Sequence, residues 1–156
     1  MRTFIAIDFS DGVRARLSAL QDRIRSRVPS LKWVDPSQMH LTLKFLGEID
    51  ETTAPTVGAA INQVVRGHAP FDLTIRGAGA FGPRDQVNVV WVGIKDTGQA
   101  LYKVQAELEE SLSGLGFPRE DRPFRPHLTL ARNKNPRQSQ QLRKAIEAES
   151  AFEGGG

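Results

Sequence analysis

One tetrapeptide occurs twice in this chain, as His40-Leu41-Thr42-Leu43 and as His127-Leu128-Thr129-Leu130, 87 positions apart. Along a β-strand successive side chains point to opposite faces, so in each copy the histidine and threonine share one face and the leucines the other. The pattern asks for two half-buried strands, each with leucines in a core and an imidazole beside a hydroxyl. The chain has only three histidines, and two of them stand in these copies. If a pseudo-two-fold brings the strands together, two imidazoles and two hydroxyls surround one spot, which suits general acid-base chemistry on a phosphoryl group.

The residues around the motifs predict an α+β chain. Thr3 to Phe9 alternates as a strand, and Ser10 caps a helix whose apolar residues Val13, Leu17, Leu20, Ile24 and Val28 recur at helical spacing before Pro29 ends it. The first motif strand, His40 to Leu46, closes at Gly47. A second helix starts near Thr53 with Pro55 in its first turn and Val57, Ile61, Val64 and Val65 facing inward. Phe71 to Ile75 and Val87 to Ile94 read as strands joined through Gly77, Gly79, Gly82 and Pro83. A third helix carries Leu101, Val104, Leu108, Leu112 and Leu115, with Gly116 past its end. Pro118 to Pro126 is a charged loop delivering the second motif strand, His127 to Ala131, and Pro136 to Ser150 holds a short helix with Leu142, Ala145 and Ile146. The order strand, helix, strand, helix twice over predicts two interwoven lobes in one domain spanning 1–156. Each lobe is expected to be a small, mainly antiparallel sheet backed by helices, with the motif strands lining a central groove. Glu153-Gly154-Gly155-Gly156 reads as a frayed end or a truncation.

Composition narrows the function. With no cysteine in 156 residues, disulfides and thiolate metal sites are excluded, and a reducing cytoplasm is compatible. The opening apolar run is too short for a signal peptide and no stretch approaches a membrane span, so the expectation is a cytoplasmic protein with no membrane partner. Between Arg119 and Lys144 stand eight basic residues against Glu120 and Asp121, a local +6 that leaves −3 elsewhere in a chain of formal charge +3. Such a stretch reads as an electropositive approach for an anionic substrate or as a solvated surface.

Opening a cyclic phosphodiester needs a base to activate water and an acid to protonate the departing oxygen. Two imidazoles with ordinary pKa near 6.5 can hold opposite protonation states near neutral pH without a metal or other cofactor. Thr42 and Thr129 can donate hydrogen bonds to the non-bridging oxygens as charge builds on them. His68, at the end of a helical pattern, is explained by a helix C-terminus or a surface position.

The two H-L-T-L copies, the opening F-I-A-I-D (Phe4 to Asp8), the run H-L-T-L-K-F-L-G-E (His40 to Glu48) and the run R-P-H-L-T-L-A-R (Arg125 to Arg132) together resemble a known family. It is that of the bacterial and archaeal RNA 2′,3′-cyclic phosphodiesterases, LigT-like members of the 2H phosphoesterase superfamily first named 2′-5′ RNA ligases. The resemblance runs from the first strand to about Arg132. It implies a bilobal pseudo-two-fold fold and metal-independent hydrolysis of an RNA 2′,3′-cyclic phosphate end to a 2′-phosphate, with 2′-5′ ligation as the reversible counterpart. By position His40 resembles the proton donor to the ribose O3′ and His127 the proton acceptor from water. Arg132 matches an arginine that contacts phosphate or stacks on the base, although strict alternation assigns it to the leucine face unless the strand ends or bulges near Ala131. Phe4 and Ile5 lie where the family has aromatic or apolar residues near the nucleobase, and core packing would explain both equally. The family continues past the last helix with a further strand, whereas this chain stops at Gly156.

Other readings stay open at this level. A related phosphodiesterase could act on 2′-5′ oligonucleotides or small cyclic nucleotides, because the motif reads the phosphate and not the rest of the ligand. A non-catalytic RNA-binding module would use the basic stretch alone. A metal hydrolase is disfavoured because Asp8 and the two histidines lack ligand spacing, and an ATP-dependent ligase because no phosphate-binding loop is present. No obligate protein partner is evident, and a monomer is expected.

Overall fold

The structure is a computed structural model and describes residues 1–83, 86–96 and 98–156. In chain order its strands are β1 (Arg2–Ile7), β2 (Lys32–Trp33), β3 (Leu41–Glu48), β4 (Thr74–Phe81), β5 (Val89–Lys95), β6 (His127–Arg132) and β7 (Glu153–Gly155). The helices are α1 (Asp11–Arg25), α2 (Ala54–Arg66), α3 (Ala100–Ser113) and α4 (Ser139–Glu147), so the class is α+β. Two compact units form, each from three separated segments. Met1–Ile7, Thr42–Asp72 and Asp96–Arg125 make the first, and Asp8–Leu41, Leu73–Lys95 and Pro126–Gly156 the second.

In the first unit β1 and β3 form a two-stranded sheet. Met1 and Ile49 exchange backbone hydrogen bonds of 2.9 and 3.0 Å, and the Phe4 ring meets Phe45 at 6.2 Å, so the strands run in opposite directions. Helix α3 buries Leu101, Val104, Leu108 and Leu112. It stops in a left-handed turn at Gly116 (φ 97°), with Gly116 N–H donating to Ser113 and Phe117 N–H to Leu112, a pattern that satisfies the last helical carbonyls. Leu115 follows the helix and is 43% exposed, and Val65, expected inside, is 53% exposed. Helical periodicity does not hold beyond Ser113. Of the four apolar residues expected to face inward on α2, Val57 is buried and Ile61 and Val64 are half-buried.

The second unit is an antiparallel five-stranded sheet in the order β2-β6-β5-β4-β7. One face is buried: Ile75, Val90, Val92, Ile94, Leu128, Leu130 and Ala131, with Val13, Leu17, Leu20 and Ile24 of α1 and Leu142, Ala145 and Ile146 of α4 completing the core. Ser10 caps α1 by accepting the Val13 N–H at 3.3 Å, as its sequence position leads one to expect.

Three further expectations need correction. The strand expected over Phe71 to Ile75 is β4, from Thr74 to Phe81, and the glycines assigned to a connection lie within it. Gly77 is the extra residue of a bulge and takes φ 77°, while Gly79 leaves room for the Trp91 indole: a Cβ there would stand 2.3 Å from Cζ2 of that ring. The C-terminal residues are not frayed, because β7 pairs Gly155 with Ile75 and Glu153 with Arg76, and Gly154 sits close against Ile75. Finally, β1 ends at Ile7, leaving Asp8 and Phe9 outside it.

Candidate active site

Cross-strand partners share a face of a sheet, and that rule locates the second motif. β5 runs through Val89–Lys95 in regular alternation. Gly93 pairs with His127, Trp91 with Thr129 and Val89 with Arg132, so His127, Thr129 and Arg132 stand on one face, opposite the buried leucines. Arg132 reaches that face because the ladder shifts register between Val90 and Trp91, where Val90 faces Ala131 and Trp91 faces Thr129. The surplus residue, Leu130, bulges β6. Leu130 and Ala131 both turn into the core and Arg132, exposed, is returned to the histidine side.

The bulge is held from behind. Gln21 of α1, 2% exposed, donates from Nε2 to the carbonyls of Leu130 at 3.1 Å and Val34 at 2.7 Å, and Val34 N–H donates to the same Leu130 oxygen at 2.9 Å. Beyond the strand, buried Asn133 donates to Val87 O at 2.8 Å and accepts from Asn135 N–H and Gln138 Nε2. Both ends of the Arg132 segment are thus fixed.

An aromatic row supports the imidazole. Trp91 lies over Gly79, its ring 5.3 Å from Phe81, and Phe81 meets His127 edge-on at 5.1 Å and 87°. His127 and Thr129 are half-buried, so each packs on one side and remains accessible on the other.

His40 immediately precedes β3, half-buried between buried Met39 and Leu41. The Asp8 carboxylate, within electrostatic reach of His40, pairs with Arg14, and Arg14 donates to the Pro36 carbonyl. The Phe9 amide, then Arg14, then His40 hold the Asp8 carboxyl below its usual value. Asp8 is the residue beside the first motif that sequence reasoning gave no role. Its signal was the acid closing F-I-A-I-D, and its electrostatic reach to His40 joins positions far apart in the chain.

Thr42 is half-buried in β3 within the first unit, between buried Leu41 and Leu43. Lys44, two residues on and therefore on the same face, is buried: its Nζ pairs with Glu109 at 2.9 Å and donates to Pro118 O at 2.9 Å. The other Glu109 oxygen accepts the Glu120 N–H at 3.2 Å. This cluster anchors the start of the segment that leads through Arg125 and Pro126 to His127. Phe4 turns toward Phe45, which by alternation lies on the β3 face away from Thr42, and Ile5, half-buried, points the other way. His68 pairs with Glu107.

The basic stretch divides between the units. Arg119, Arg122 and Arg125 are exposed in the first, and Arg132, Lys134, Arg137 and Lys144 in the second, where Arg143 donates to Pro83 O at 3.3 Å. Among the described residues no group of three or more His, Asp or Glu side chains is gathered to hold a metal ion, and no helix is long and apolar enough to cross a membrane.

The sequence profile of the 2′-5′ RNA ligase superfamily matches residues 9–153. The RNA 2′,3′-cyclic phosphodiesterase of Methanothermobacter thermautotrophicus is 34% identical over 146 residues, covering 94% of this chain and 78% of that protein. Among solved structures, TT0787 of Thermus thermophilus superposes with a TM-score of 0.76 at 34% identity, over 87% of this chain and 76% of the other. E. coli LigT complexed with 3′-AMP gives 0.69 at 27% identity, over 84% and 72%.

Proposed function

The chain belongs to the 2′-5′ RNA ligase superfamily, and from that premise we propose that it hydrolyses RNA 2′,3′-cyclic phosphate ends to 2′-phosphates without a metal or other cofactor. His127 takes a proton from water, the water oxygen bonds to phosphorus, the bond to O3′ breaks, and His40 gives that oxygen its proton. Thr42 and Thr129 donate to the non-bridging oxygens, whose charge rises in the transition state. Arg132 binds a phosphate or base of the RNA chain away from the reacting end, and Ile5, on the Thr42 side of its sheet, contributes apolar surface near the nucleobase, whereas Phe4, expected there too, turns to the opposite face with Phe45. Asp8, whose carboxyl is held below its ordinary value by the Phe9 amide, Arg14 and His40, lies within electrostatic reach of the His40 imidazole.

The observation that most supports this reading is the face shared by His127, Thr129 and Arg132, with the imidazole packed on Phe81. A histidine kept for packing alone would not need a neighbouring hydroxyl and a guanidinium turned to its side by a bulge. The names of the relatives favour the same substrate class. The reading also takes 1–156 as one functional domain, working in the cytoplasm as a monomer with RNA as its partner.

The test offers oligonucleotides ending in a 2′,3′-cyclic phosphate, and 2′-5′ linked RNAs, in EDTA and identifies the products. The expected product is the 2′-phosphate. His40→Ala and His127→Ala should each lose about 100- to 10,000-fold on the natural end. With a far better leaving group in place of O3′, His40→Ala should recover much of its loss and His127→Ala little. Activity that vanishes in EDTA and returns with zinc or magnesium overturns the proposal, and rescue of His127→Ala instead reverses the two roles.

A further inference from the structure

We propose that Lys32 and Arg132 form a second anion site for a backbone phosphate of single-stranded RNA, upstream of the reacting end. The proposal rests on the cyclic phosphodiesterase reading above. Lys32 of β2 is the direct cross-strand partner of Arg132 on β6, so it shares the face of His127 and Thr129. Both side chains are exposed, and among the described residues neither forms an ion pair with a carboxylate. Like charges directly opposite on a sheet are destabilising, so this pairing opposes folding unless an anion lies between them. The bulge that Gln21 secures is what creates the juxtaposition, since regular alternation would send Arg132 to the core side.

Position says which anion. From His127 to Arg132 the strand advances about 15 Å at the usual rise per residue, a span too long for one nucleotide and open to a short strand. Between the two points the face presents Thr129 and the rings of Trp91 and Phe81. Cations that track a backbone beside aromatic rings are the composition of a single-strand binding surface. A lone cyclic nucleotide held at His127 would leave Lys32 without a partner, whereas an oligonucleotide would reach it.

The test compares a 2′,3′-cyclic mononucleotide with an oligonucleotide ending in the same cyclic nucleotide, at several salt concentrations. The wild type should show a lower KM on the oligonucleotide, and Lys32→Ala should raise that KM about tenfold with kcat little changed. The slope of log KM against log salt should shrink by about 0.7, the worth of one single-strand phosphate contact. KM and kcat on the mononucleotide should not move, Lys32→Arg should restore the oligonucleotide KM, and Lys32→Glu should raise it further without lowering Tm. A neutral methylphosphonate scanned along the oligonucleotide should find one linkage whose neutralisation harms the wild type and not Lys32→Ala. Equal KM for the two substrates in the wild type, or a Lys32→Ala effect of the same size on both, overturns the inference while leaving the activity standing. Absence of hydrolysis of either substrate overturns both.

Discussion

The Lys44–Glu109 pair gives a sharp energetic test of the first unit. The side chains are 5% and 11% exposed, their contact is 2.9 Å, and each carries a second bond, Lys44 to Pro118 O and Glu109 to Glu120 N–H. Removing one member of a buried ion pair leaves the other charge without compensation, at a cost of about 3–5 kcal/mol. In Lys44→Met the Glu109 carboxylate keeps the Glu120 N–H and some solvent, so the lower end, about 3 kcal/mol, applies. For a chain of this size that corresponds to a fall in Tm of about 10 °C. Lys44→Met/Glu109→Gln should cost less than the two single changes added, because the second change removes the stranded charge. Urea unfolding should be followed by two probes, since both tryptophans, Trp33 and Trp91, lie in the second unit whereas α2 and α3 lie in the first. Far-UV circular dichroism then reports loss of α2 and α3 along with the other helices, and fluorescence reports the second unit alone. The variant should lose its helical signal at lower urea than the wild type. A Lys44→Met variant within about 0.5 kcal/mol of the wild type, or strictly additive single changes, would refute the argument that burial makes this pair matter.

Thr42→Val and Thr129→Val should each slow turnover by about 10- to 1,000-fold with folding intact, and full activity in both would remove the hydroxyls from the mechanism. Gly79→Ala should destabilise by about 1–3 kcal/mol, because the new Cβ displaces the Trp91 ring. It should also lower kcat more than it raises KM, as the disturbance passes through Phe81 to His127. A stable, fully active Gly79→Ala would show that the aromatic row does not position the imidazole. For Asp8 the sign follows from its lowered pKa. Because the folded value lies below the ordinary 3.8, its stabilising contribution is present above that pH and is lost as pH falls through the folded value. The Tm gap between wild type and Asp8→Asn should therefore be full near neutrality and close in strong acid; a gap that persisted there would contradict the assignment.

What the sequence disclosed and what it hid divide along physical lines. The motif strands and α1 were legible because alternation and helical spacing are local: His127 and Thr129 share a face and Ser10 caps where expected. β4 was hidden because a glycine that makes room for an indole reads the same as a glycine that turns the chain, and the difference lies in Trp91, twelve residues on. The side to which Arg132 turns could be posed as a question about a bulge but not answered, because the answer needs the β5 register and Gln21, 109 residues before Leu130. Lys32 gave no signal, and Asp8 only that of the acid closing F-I-A-I-D, for the same reason.

The way the segments alternate between the two units has a consequence for synthesis. β6 separates β2 from β5 in the finished sheet, and it is made almost a hundred residues after β2. As the chain leaves the ribosome, β4 and β5 can pair by Lys95, but β2 has no neighbour and α1 only part of its sheet to cover until His127–Arg132 has emerged. α1 must wait with part of its apolar stripe exposed, while β1, β3, α2 and α3, complete by Ser113, are free to associate first. Such distant pairings carry a high loop-closure cost and slow the rate-limiting step. Refolding of the second unit should lag that of the first, and the waiting helix marks the interval in which the nascent chain is open to aggregation.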